Sequence, residues 1–511
     1  MVDTRKRRGL IFTVFLLMLI LTIALCSVDE KRRCLDVEIL STEEPAPFGE
    51  YVYRDFSKYL LYNGQRAAVD AQNATIYISQ KILPETTVED LTGSLKLSSS
   101  TYWMAFAPDA AFENLAEAVA DNHPFLLYVT NGSGKYMQYH VVFTPLPVLR
   151  IDGEFYGYDE REREVKQGDM CIWEPVDLDT NRYGCKQSNV LWHVRGGWSS
   201  NMEKTPWRLA LKKKTGTNKN VSMAGLGADD DWILNPMNLD DTLLKEKLFC
   251  GLWNQRAEQV EWNEKMSAGE YVEVVMNQTY MGLFQLQRRI DGKLLNLDTG
   301  DVLLKGNANW DAPTAQVAYE IAHSSLPEED TYSLIENYFA GDDTDLLNLD
   351  NFLDVNVFLQ SAAALDNTGY KNMYYLLKSG EKGYTMHLLP WDTDMSWGTI
   401  WWESGFAYNF EESRQAMALR MEYDWMLKLY PDLDQQMARR WFELREDLLT
   451  MENVTSILER EQQVLDISGA QKRDLDRWGL FYGGEDSLEN LYRSIEARLD
   501  FVDAYYSQYL Q

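Results

Sequence analysis

Cysteine is scarce in this sequence, with Cys26, Cys34, Cys171, Cys185 and Cys250 the five found in 511 residues. None stands in a C-x-x-C pair, which argues against a structural zinc site. Cys171 and Cys185 flank a turn-rich stretch, EPVDLDTNRYG, and two readings stay open for them: a disulfide in an oxidising compartment, or two buried thiols. Positive charge is also short. A formal net charge of -30 denies the chain the basic footprint through which a nucleic-acid partner gains counterion-release energy. A basic polypeptide partner suits this balance better, although acidic excess also serves solubility. Internal repeats and long low-complexity segments are lacking too.

Apolar residues make up 45% of the chain, enough at this length for a large core and two or three domains. The 16 Trp and 29 Tyr fill cores or line binding grooves. Arg5, Lys6, Arg7 and Arg8 precede an apolar run from Leu10 to Cys26, the order of a basic n-region and a hydrophobic segment. A large residue, Leu25, precedes Cys26 where a lipoprotein site takes a small one. Residues 1–28 therefore read as a signal anchor in preference to a cleaved signal peptide, with the remainder on the extracytoplasmic side of the membrane.

From residue 35 to 143, alternating runs such as TIYISQ, SLKL, FLLYVT and MQYHVVF between turn residues predict a small β-rich domain. One helix is expected from Ala110 to Ala120. Pro145 and Pro147 interrupt regular structure and open a second domain, 144–511. Its first half carries strand patterns at MCIW, VLWHV, WRLAL, YVEVVM and GLFQLQ. A helix is expected between Asp240 and Asn254, capped by Asp241 or Thr242, with Leu243, Leu244, Leu248 and Leu252 as its apolar stripe. From Pro327 the texture turns helical, near Asp345 to Ala364, Asp432 to Met451 and Leu488 to Tyr509. A single hairpin, Met373 to Leu377 and Tyr384 to Leu389, interrupts it. The whole reads as α+β, a β-rich lobe followed by a helical lobe.

The densest polar cluster is LDNTGYKN, Leu365 to Asn372, followed beyond the hairpin by PWDTDMSWG, Pro390 to Gly398. Asp366 ends the apolar stretch SAAAL and Asp392 follows HLLPW, so each carboxylate emerges beside buried structure and needs a partner there. Asp residues in such places also serve as caps and Asx-turns. A divalent metal is a natural partner for one or two carboxylates and an amide oxygen. Phosphoryl transfer requires the same groups, a carboxylate to orient the attacking hydroxyl and oxygen ligands for metal. Asp366, Asn372 and Asp392 supply them in order, with Asp394 a secondary or structural group.

The run from Asp366 to Asn372 together with PWDTDMSWG resembles the paired signature of the CotH family of atypical protein kinases. LPVLRID, RGGWSSNMEKTPWRLALKK, DDWILNPMNLDDTLLKEKL, VEVVMNQTYMGLF and RSIEARLDFVD agree in the same order. The resemblance implies a protein-kinase-like two-lobe fold that uses ATP and Mg2+ or Mn2+ to phosphorylate Ser or Thr on a protein substrate, possibly basic and Ser-rich. It implies Asp366 as the catalytic-loop Asp, Asn372 as its metal-binding companion and Asp392 as the metal-binding Asp. Arg195 and Lys204 lie in the segment that would contact phosphates. The chain reads Gln287, Arg288 and Arg289 where members commonly carry a Glu, which removes the usual acid of a Lys–Glu ion pair. The expected setting is a membrane-anchored extracytoplasmic enzyme or a spore-coat component. The competing reading is a kinase-like scaffold without catalysis, an adhesin or cell-wall glycan-binding module.

Overall fold

The computed structural model describes residues 34–510 apart from 36, 40–49, 84–85, 100, 108–114, 132–133, 178–181, 263, 308–313, 341–345, 368–370, 403–404 and 418–423. The basic and apolar stretch of residues 1–28 and the first half of the helix expected from Ala110 lie outside the described residues. Among the described residues no helix is long and apolar enough to cross a membrane. The chain divides into two compact units. Met1–Arg150, Trp173–Cys185 and Val275–Tyr280 form the first, and Ile151–Ile172, Lys186–Val274 and Met281–Gln511 the second.

The first unit is β-rich, as alternation in its sequence implies. One sheet runs Val37–Ile39, Trp103–Ala107, Phe125–Thr130, Lys135–Thr144, Thr75–Ser79 and Ala68–Asp70. The Lys135–Thr144 strand pairs antiparallel with Phe125–Thr130 but parallel with Thr75–Ser79. Phe106, Phe125 and Phe143 meet in its core, and Leu127, Val129 and Val141 are wholly buried beside them.

The second unit is mixed α and β. Strands β1 (Val148–Tyr158), β2 (Glu164–Asp177), β3 (Arg182–Val194), β4 (Trp207–Lys212), β5 (Asp231–Asn235), β6 (Glu270–Met276) and β7 (Thr279–Arg288), most of whose residues belong to this unit, close into a barrel in the order β1-β2-β3-β4-β5-β7-β6. Cys171 and Cys185 are disulfide-bonded, and Cys250 is a buried free thiol. Between β5 and β6 runs α1 (Lys245–Gln259). Its start differs from the sequence expectation, because Asp240 is the capping group: its carboxylate accepts the Lys245 N–H at 2.7 Å. Asp241 instead receives the Phe481 and Tyr482 amides. The apolar stripe of Leu244, Leu248 and Leu252 is buried as expected. The first turn, however, also buries Lys245, Glu246 and Lys247, and each has a partner, which is how burial of charge is tolerated. Lys245 pairs with Asp486 at 2.7 Å and Lys247 with Glu461 at 3.0 Å.

A four-stranded sheet follows, built from β8 (Val302–Asn307), β9 (Tyr319–His323), β10 (Lys371–Gly380) and β11 (Gly383–Pro390) in the order β9-β8-β10-β11. The β10–β11 hairpin is longer than alternation indicated, and Gly380 pairs with Gly383 so that only Glu381 and Lys382 turn. Helices α2 (Glu328–Ala340), α3 (Leu349–Ala362), α4 (Leu433–Arg445), α5 (Met451–Ser468), α6 (Ala470–Trp478) and α7 (Leu488–Ser507) complete the unit. A second hairpin, Thr399–Trp402 with Gly405–Tyr408, stands where only helix was expected. Its aromatic run, TIWW, favours the pleated surface.

Helix α3 is central to this unit. Asn348 caps it by accepting the Asn351 N–H, and Phe358 packs against Phe249 and Trp253 of α1. Asn351 acts as a surrogate strand, donating to the Leu388 carbonyl at 3.1 Å and accepting the Leu388 amide at 2.6 Å, which fixes α3 against β11. Asp354, fully buried, sits between Arg256 of α1 and Arg440 of α4, and the Gln360 carbonyl accepts from Arg498 of α7. Removing one member of such a buried pair leaves an uncompensated charge.

Close packing also decides Gly282 on β7. Its φ of +99° lies in the left-handed region, and a Cβ there would stand 2.3 Å from the Asp474 carboxylate. Gly282→Ala is expected to lose ~2–4 kcal/mol of stability from backbone strain and overpacking together. Denaturant unfolding of the purified variant checks this.

Candidate active site

The two acidic motifs meet through backbone geometry. Helix α3 ends at Ala363, whose φ of 50° is left-handed, and the chain turns at once into Asp366 and Asn367. The buried Asn367 amide donates to the Asn372 carbonyl at 2.9 Å and to the Trp391 carbonyl at 2.8 Å. The Trp391 amide in turn donates to the Asn372 carbonyl at 2.9 Å. One side chain thus joins the start of β10 to the end of β11. Asn367 and Asn372 have separate tasks: Asn367 spends its amide on backbone, and Asn372 directs its own to the Asp366 carboxylate at 2.9 Å.

Asn372 and Asp392 both adopt left-handed φ, 56° and 60°. Non-glycine residues rarely hold that conformation without surrounding constraint, and functional sites concentrate it. Asp366 also holds Lys371 at 2.5 Å. Burial raises the Asp366 pKa above the usual carboxylate range, and Lys371 opposes the shift.

The Asp392 and Asp394 side chains make no hydrogen bond or ion pair among the described residues, and both are partly shielded from solvent. Burial pushes the Asp394 pKa well up, and neighbouring Asp392, Glu246, Asp240 and Asp366 add to the shift. Glu246, on the first turn of α1, is pushed up to about 7 by burial and then by Asp392. It accepts from Asn235 at 2.6 Å and Gln287 at 2.9 Å. The Tyr482 hydroxyl, close enough to Asp394 to feel its charge, is buried without a hydrogen-bond partner. This concentration of negative charge fits a cation.

Among the described residues no group of three or more His, Cys, Asp or Glu side chains is placed to hold a metal alone. A cage of carboxylates is therefore not on offer. The residues that would hold a magnesium-like ion are Asp392 and Asn372 through its amide oxygen, since such an ion uses one or two protein oxygens and completes its shell with water and phosphate.

The basic residues divide differently from the expectation. Arg195 stacks its guanidinium over Trp391, 5.5 Å from the ring centre, and so stands directly beside the second acidic motif. Lys204 is buried, with Nζ 2.7 Å from Asp474 of α6. Burial lowers its pKa and Asp474 opposes that. Arg288 and Arg289 are also engaged, Arg288 with Asp229 at 3.0 Å and Arg289 with Glu320 at 2.8 Å. The acid lacking after Gly282 has a counterpart in space, because Gln287 reaches Glu246 on α1.

Glu246 and Lys305 escaped sequence reasoning. Glu246 lies inside DDTLLKEKL, where one acid among several charges carries no mark. Lys305 does carry a signal, a lone cation in the otherwise apolar run VLLKG.

Two substitutions separate scaffold from chemistry. Asn367→Ala removes both bonds of the tie and is expected to cost about 2–3 kcal/mol, read by urea unfolding. Lys204→Met leaves the Asp474 charge buried and unpaired, with an expected loss of about 3–5 kcal/mol by the same measurement. A stability unchanged by Lys204→Met would contradict the ion pair.

The CotH kinase protein family matches residues 192–503, a span that includes β4 to β11, α1 to α6 and both acidic motifs. No curated protein matches the chain. The match covers more than half of the sequence and contains every residue of the site described above, and the chain belongs to the CotH kinase protein family.

Proposed function

We propose that this protein is a divalent-metal-dependent protein kinase that transfers the ATP γ-phosphate to Ser or Thr of a protein substrate. The observation that carries the reading is the Asn367 tie, which holds Asp366, Asn372 and Asp392 on adjoining turns. In this reading the barrel with α1 acts as the nucleotide-side lobe of a kinase-like fold, and the sheet β8–β11 with the later helices as the catalytic lobe. Asp366 accepts the proton of the attacking hydroxyl as its oxygen bonds to the γ-phosphorus and ADP departs. Asn372 keeps that carboxylate aimed through its 2.9 Å bond. Asp392, with the Asn372 amide oxygen, would hold Mg2+ or Mn2+, which supplies neutralisation of the phosphate charge. Asp394, behind Asp392, adds negative potential that favours the cation.

The disulfide state of Cys171 and Cys185 supports an oxidising setting, in keeping with an enzyme anchored by residues 1–28 on the extracytoplasmic side. The net charge of -30 supports a basic, Ser-rich protein as substrate through electrostatic steering.

Incubation with γ-labelled ATP and Mg2+ or Mn2+ tests the reading. Label is expected in the chain itself or in basic Ser-rich peptides, with Asp366→Ala and Asp392→Ala each reducing the rate at least about a thousandfold, the scale on which such electrostatic and proton-accepting groups act. Absence of transfer would support the glycan-binding scaffold instead, and an Asp392→Ala variant as active as the parent would remove Asp392 from the metal-holding role.

A further inference from the structure

Lys305 is a cation with no ion pair among the described residues, although Glu320 stands across from it in register on β9. It lies on β8, between Leu304, which is fully buried, and Gly306, and its register partner on β10 is Tyr374, two residues beyond Asn372. Its half-buried side chain makes no hydrogen bond or ion pair among the described residues. Other cations of this unit are engaged: Lys204 by Asp474, Arg288 by Asp229, Arg289 by Glu320, and Arg195 on the face of Trp391.

The field at Lys305 is mixed. Burial pushes its pKa down to about 8, Arg195 and Arg289 push the same way, and Glu320 and Asp392 pull back. A partly desolvated ammonium within electrostatic reach of both the Arg195 guanidinium and Asp392 suits a polyanion that can touch both cations while its metal ion sits on the carboxylate. A phosphate chain has that shape and charge.

We propose that Lys305, backed by Arg195, binds the phosphate chain of the nucleotide, the role for which Lys204 stood as candidate. The assignment rests on the kinase reading above. Lys204 then has a positioning role, holding the turn after Trp198–Asn201 against α6 through Asp474.

Calorimetric titration of the purified chain with ADP and with adenosine, both in Mg2+, tests the assignment. Lys305→Met is expected to weaken ADP about ten- to a hundredfold, the range for losing a charge-assisted hydrogen bond, while adenosine binds within about twofold of the parent. Lys305→Arg, which keeps the charge, should retain most of the ADP affinity. Equal losses for ADP and adenosine in both variants would mark Lys305 as structural and overturn the proposal. ADP binding unchanged in Lys305→Met would overturn it while leaving the kinase reading intact. A parent protein that binds no ADP would overturn both.

Discussion

The geometry of the site depends on one buried amide. Asn367 has nowhere to send its two N–H groups except the carbonyls of Asn372 and Trp391, and satisfying them brings the ends of two strands together. An unmade hydrogen bond in a buried place costs more than a made one contributes, so this requirement is strict. The left-handed conformations of Asn372 and Asp392 follow as the accommodations the chain makes around that tie. Helix α3 anchors the arrangement in turn, because Asn351 fixes it to β11 and its C-terminal turn delivers Asp366.

Charge is distributed to match. Away from the site, buried carboxylates are neutralised in pairs: Asp354 by Arg256 and Arg440, Glu273 by Arg473, Asp486 by Lys245. Inside the site, Asp392 and Asp394 have no such partner among the described residues, where Glu246 is held by the neutral amides of Asn235 and Gln287. The contrast separates structural from functional acids more sharply than their number does, since a buried negative charge without a counterion is unfavourable until a cation arrives. Lys305 feels both Arg195 and Asp392, and on the reading proposed above a metal-bound phosphate ester would answer the acids and the lysine together.

Much of this was legible in the sequence where periodicity is strong and local. The alternating runs FLLYVT and WRLAL mark strands, and the spacing of Leu491, Ile495, Leu499 and Val502 marks α7, all buried as a single stripe. Asp366 and Asp392 stand out as acids beside apolar runs, a pattern that also suits caps and turns, and it was the resemblance to the CotH signature that singled them out together with Asn372. Other features depend on tertiary contacts. The α1 cap moved to Asp240 because Asp241 is drawn away to the amides of Phe481 and Tyr482, some 240 positions distant. The second hairpin went unseen because a run as short as TIWW, though rich in strand-favouring residues, carries too little periodicity to stand out in a helical stretch. Lys204 looked as free as any lysine until Asp474 came within reach, from 270 positions away.

The central claim is that the acids around Asp392 await a metal-bound nucleotide, and thermal unfolding tests it most directly. Ligand that binds only the folded state stabilises it by about 2.7 kcal/mol at a hundredfold excess over its dissociation constant. The account predicts that ATP raises the unfolding temperature only when Mg2+ or Mn2+ is present, and that Asp392→Ala abolishes the rise. Stabilisation by ATP that is the same with chelator present, or that persists undiminished in Asp392→Ala, would contradict it.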